Sequence, residues 1–109
     1  MTDKERKKLN DKLLEFAGFR KDGEFRVVGP APSHKVIPTP DFTDPELGIA
    51  HCFKWLVPKF RYYGIGTNSN GKHGAIVQAE NYRYFNAQSD MPNMAICLAV
   101  IEAIDAKAD

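Results

Sequence analysis

Polar and apolar positions run along this chain with two different periods, and the changes of period mark its elements. Residues 2–17 place Leu9, Leu13 and Phe16 at i, i+4 and i+7, on one side of a helix. Lys4, Arg6, Lys7, Lys8, Asp11 and Lys12 cover most of the remainder. Thr2 and Glu5 have the spacing of a capping box, and Gly18 is a natural stop. Phe19 then returns the chain to the core. A second helix is expected from Thr43-Asp44-Pro45-Glu46, where Thr43 or Asp44 caps, Pro45 suits the first turn and Glu46 favours the helix dipole. Its apolar stripe is Ile49, Cys52, Phe53 and Leu56, flanked by Leu47, His51 and Trp55, and Pro58 ends it. A closing helix follows the cap Ser89-Asp90 and Pro92. Its stripe is Met94, Cys97, Leu98, Ile101 and Ile104, with Ala95, Ala99 and Ala103 allowing a close approach to a sheet.

Between the helices the period shortens to two. Glu24 to Val28 predicts a short strand. Phe60 to Thr67 predicts a longer one, rich in aromatic and β-branched residues, which turns at Asn68-Ser69-Asn70-Gly71-Lys72. Asn-Gly is a strong hairpin signal. The return strand, His73 to Glu80, carries Ala75, Val77 and Ala79 on one face. After a tight turn near Asn81, a third strand is expected over Tyr82 to Ala87. Gly29 to Pro40 contains Pro30, Pro32, Pro38 and Pro40, which forbid a helix interior or a central strand. It reads as an extended connector or binding arm, with an edge strand around Val36-Ile37.

The order α-β-loop-α-β-β-β-α predicts one α+β domain over 1–109. Residues 1–20 hold the first helix, 24–40 the short strand and proline-rich segment, and 41–105 the second helix, hairpin, third strand and closing helix. The expected sheet is mainly antiparallel, of three to four strands, with three helices.

Composition changes this picture little. Of 109 residues, 43% are hydrophobic and 27% charged, as in ordinary globular domains. The net charge of +1 lacks the basic excess of a dedicated nucleic-acid binder. The two cysteines, Cys52 and Cys97, fall in apolar helical stretches and read as buried thiols in a reducing compartment. The N-terminus has no apolar run, and the longest apolar stretch, Met94 to Ile101, is far short of a membrane span. The expectation is a cytoplasmic protein with no membrane partner.

Several stretches resemble the phage ABA sandwich domain family of bacteriophage and prophage proteins. They are Asp41-Phe42-Thr43-Asp44, Ala50-His51-Cys52-Phe53-Lys54-Trp55-Leu56-Val57-Pro58, Asp90-Met91-Pro92 and Ala95-Ile96-Cys97-Leu98-Ala99. The resemblance implies a three-layer α/β/α sandwich and a place in a bacterial host cytoplasm. It implies no activity. The proline-rich Gly29 to Pro40 and the aromatic Tyr82 to Phe85 depart from the family pattern.

No motif for chemistry emerges. His34, His51 and His73 have no metal-ligand spacing, and there is no Cys-x-x-Cys. Catalysis by Cys52 or Cys97 would need a base such as His51 beside a thiol that apolar surroundings keep inert. Gly64 and Gly66 lie in a strand with no helix after it, so they do not form a phosphate loop. No cofactor is implied. What stands out is a basic and aromatic set: Arg61, Tyr62, Tyr63, Tyr82, Arg83 and Tyr84. Tyrosine and arginine are interface residues, which favours a protein partner or a homo-oligomer. The same residues can stack bases and neutralise phosphates, which gives single-stranded nucleic acid as the alternative. A small enzyme without a recognisable motif is the remaining class.

Overall fold

A computed structural model of the chain describes residues 1–22, 25–28, 35–36 and 39–108, with side chains for 1–19 and 39–107. Its elements are α1 (Asp3–Ala17), β1 (Phe19–Asp22), β2 (Phe25–Val28), β3 (Lys35–Val36), α2 (Gly48–Trp55), β4 (Tyr62–Thr67), β5 (His73–Gln78), β6 (Tyr84–Ser89) and α3 (Pro92–Ala108). This is an α+β protein with, among the described residues, three α-helices and a layered arrangement around an antiparallel sheet.

Helix α1 starts and stops as its sequence dictates. The Thr2 hydroxyl accepts from the Glu5 N–H, and the Glu5 carboxylate accepts from the Thr2 N–H. The Thr2 hydroxyl also donates to that carboxylate, and this bond together with the one from the Thr2 N–H holds the Glu5 carboxyl below its ordinary range. Gly18 ends the helix at φ 102, a left-handed cap suited to glycine. Leu13, Leu14 and Phe19 are buried. Phe19 also opens β1, a strand not expected from the sequence, which pairs with β2 in a small antiparallel sheet. Its sequence Phe-Arg-Lys-Asp has no apolar alternation to announce it. The edge strand expected around Val36-Ile37 is β3, which pairs with β2. Ile37, Glu24 and most of Gly29 to Pro40 lie outside the described residues.

The larger sheet has the order β4-β5-β6, antiparallel throughout. Period-two alternation sends Ala75 and Val77 of β5 inward, where both are buried. Helix α3 lies against β5 and β6, and α1 and α2 pack on α3. That position corrects the expected single stripe on α3. Ile96 and Val100, outside the stripe, are fully buried together with Ala95, Cys97 and Ala99. A helix covered on several sides is apolar all round, so the stripe has no clear edge.

Helix α2 begins one turn later than expected. Asp44 caps the preceding turn, accepting from the N–H groups of Leu47 and Glu46, which lower its carboxyl pKa. The α2 stripe is also rotated. Phe53 is 39% exposed, while Trp55 packs edge-on against Phe19 at 4.9 Å.

The Asp41-Phe42-Thr43-Asp44 loop is the lock between the helices. Phe42 is fully buried. Its N–H donates to Asn10 Oδ1 of α1 at 2.8 Å, and its carbonyl accepts from Asn93 Nδ2 of α3 at 3.0 Å. Asn93 Nδ2 also donates to the Asp44 carbonyl. A buried amide thereby satisfies two loop carbonyls. Gly48 is required here, because a Cβ on it would lie 2.5 Å from both Asn93 Nδ2 and the Phe42 carbonyl oxygen.

Candidate binding face

The register of the larger sheet sorts the aromatic set into separate surfaces. Tyr62 pairs with Gln78, and Gln78 with Tyr84, so these three form one row across the sheet. Their side chains share the face opposite Ala75 and Val77. Tyr62 and Tyr84 are 52% and 56% exposed, with rings in edge-to-face contact at 6.4 Å. The next row is Gly64, Ile76 and Asn86, and the last is Gly66, Gly74 and Gln88. No position in these three rows carries a charge.

Glycine shapes this face. A Cβ on Gly64 would crowd Ile76 Cγ2 at 3.1 Å and touch the side chain of Tyr62, which lies along its own strand. A Cβ on Gly66 or Gly74 would meet nothing within 4 Å. The face is therefore an aromatic step at one end and a shallow glycine floor at the other, rimmed by the amides of Gln78, Asn86 and Gln88. Among the described residues no strand pairs with the outer edge of β4 or β6.

The other members of the set point elsewhere. Tyr63 lies on the inward side and packs against Phe53 at 5.4 Å. Arg83 also turns away, with its guanidinium over the Phe85 ring at 5.2 Å. Tyr82 lies in the β5–β6 turn, two residues before the strand that was expected to begin at it. Its ring is stacked under the Arg61 guanidinium at 4.3 Å. The structure thus brings Tyr62 and Tyr84 together, pairs Arg61 with Tyr82, and turns Arg83 to the opposite side of the sheet.

The thiols sit deep in the core. Cys52 and Cys97 are free, buried and 3.8 Å apart. Cys97 Sγ donates to the Phe42 carbonyl and Cys52 Sγ to the Asn93 carbonyl. The hydrogen bond with Cys52 and burial push the Cys97 pKa well above the ordinary thiol range. His51 faces the Phe42 ring instead, at 6.5 Å. Among the described residues no three His, Cys, Asp or Glu side chains are grouped to hold a metal ion, and no helix is long and apolar enough to cross a membrane.

Sequence reasoning overlooked Asn10 and Asn93. An asparagine within the first turn of an apolar helix was the available signal for Asn93. It also missed the neutrality of the tyrosine face, which only strand register reveals. Comparison with protein-family models, curated proteins and solved structures finds no match to the chain.

Proposed function

We infer that this chain is a small phage or prophage accessory protein that acts by binding another protein, without catalysing a reaction. The observation that carries the binding reading is the uncharged outer face of β4-β5-β6, with Tyr62 and Tyr84 standing exposed above a glycine floor. Exposed aromatics on a rigid sheet supply contact area at little cost in side-chain entropy. Nucleic acid is less well served, because phosphates need cations and the three rows of this face carry none. The phage origin rests on the family resemblance. Phe42, Cys52, Leu56, Ala95, Cys97 and Ala99 of its motifs are all buried, as packing motifs would be.

The double variant Tyr62→Ser/Tyr84→Ser tests the reading. It should unfold at the temperature of the parent chain yet retain less of the protein captured by the parent from a bacterial host lysate. Sedimentation of both proteins alone separates a foreign partner from a second copy. Equal capture by parent and variant would defeat the assignment of this face.

A further inference from the structure

A groove of about 810 Å³ opens at the other side of the sheet, where the β5–β6 turn meets the end of α3. Phe16, Phe60, Phe85 and Ile104 contribute its apolar lining. Phe16 and Phe60 are in contact, with ring centroids 5.5 Å apart. Three cations from separate parts of the chain border it: Lys59, Arg83 and Lys107, against the single carboxylate of Glu80. Among the described residues none of the three has a carboxylate within ion-pair distance. Two of them rest on rings instead, Lys59 over Phe16 at 5.8 Å and Arg83 over Phe85 at 5.2 Å.

One wall of the groove is under backbone strain. Ala79, Glu80, Asn81 and Arg83 line it, and the intervening Tyr82 has φ 66. The turn matches the β4–β5 turn in its backbone hydrogen bonds. Tyr82 N–H donates to the Ala79 carbonyl as Gly71 N–H donates to that of Asn68. Ala79 N–H donates to the Arg83 carbonyl as Asn68 N–H donates to that of Lys72. Where the first turn places Gly71 at φ 81, the second places a bulky tyrosine. Strain of this kind concentrates at ligand clamps.

We propose that this groove binds an acidic peptide segment with an aliphatic or aromatic anchor, presented by a partner protein. The apolar floor takes the anchor, and Lys59, Arg83 and Lys107 take its carboxylates. Charge complementarity selects an anionic occupant. A cation over a ring still presents its remaining N–H donors outward. The same contacts disfavour a nucleic acid, since Lys59 and Arg83 occupy ring faces on which bases would stack. The inference rests on the chain being a protein binder, but not on the tyrosine face.

The probe is a short fluorescein-labelled peptide of alternating glutamate and leucine, read by fluorescence anisotropy on the full chain. Lys59 and Arg83 are exposed, so Lys59→Glu/Arg83→Glu should fold, which circular dichroism checks. The peptide should bind, lose about tenfold or more in affinity to the double variant, and weaken with salt. A lysine–leucine peptide should not bind. Tyr62→Ser/Tyr84→Ser should bind the acidic peptide like the parent, which keeps this test separate from that of the open face. No binding of the acidic peptide, equal binding by the charge-reversed variant, or tighter binding of a labelled oligothymidine would each overturn the proposal.

Discussion

Asn93 and Thr43 are the buried polar residues of the described core, and Asn93 is the more buried. It is 2% exposed and donates to the carbonyls of both Phe42 and Asp44. Removing the amide takes one hydrogen bond from each carbonyl, leaving Phe42 with the weaker Cys97 thiol and Asp44 with the Gly48 N–H. Asn93→Ala should therefore cost about 1–3 kcal/mol, measured by urea unfolding. Gly48→Ala should cost a similar ~1–3 kcal/mol by a different route, pushing the Asn93 amide off the loop. Neither residue was legible from the sequence as a lock. The pairing spans 51 positions between Phe42 and Asn93, and no local pattern encodes such a contact. The buried thiols were legible, because both sit in apolar helical stretches. Their proximity adds a pH dependence. The folded chain holds Cys97 as a neutral thiol, whereas the unfolded chain ionises it near pH ~8.5. A raised folded pKa means the folded state binds the proton more tightly. Its stabilisation is complete below the unfolded value and declines as pH rises beyond it. Unfolding free energy should fall between about pH 8.5 and 10, and Cys97→Ala should flatten that fall.

At the level of elements, the two turns of the sheet show what local sequence decides. Asn70-Gly71 placed the first hairpin correctly, but its geometry is not a two-residue turn. The Asn68 side chain accepts from the N–H groups of Asn70 and Lys72, and only Gly71 takes positive φ. The bonding is that of a type I turn closed by a left-handed residue. The second turn was legible near Asn81, yet the left-handed position fell one residue later, on Tyr82. Alternation of Tyr82 and Tyr84 with Arg83 and Phe85 mimics a strand, so periodicity alone extends β6 too far. Asparagine tolerates this conformation better than tyrosine does. Relief of about 1–2 kcal/mol of left-handed strain outweighs the ~0.5–1 kcal/mol of an exposed Arg61–Tyr82 contact. Tyr82→Asn should therefore raise the thermal midpoint. A lower midpoint would show that the tyrosine's contacts compensate for its backbone.

For the whole molecule, the deciding fact is that α3 serves one face of the sheet and the helices α1 and α2 together. The α+β class was legible from the order of elements. The sharing of α3 was not, because an all-round apolar helix gives no direction in sequence. Burying Ala75 and Val77 against α3 leaves Tyr62, Ile76 and Tyr84 on the side away from it. The chain thereby keeps aromatic area out of its own core and exposed on that side. The most direct measurement places a photo-crosslinking benzoylphenylalanine at Tyr84 and, for reference, at the exposed Lys12 on α1. Irradiated in a bacterial host lysate, the Tyr84 position should yield a discrete adduct with a single protein, and the Lys12 position should not. An adduct from Lys12 alone, or the same adducts from both positions, would contradict the assignment of the open sheet face as the surface on which this protein works.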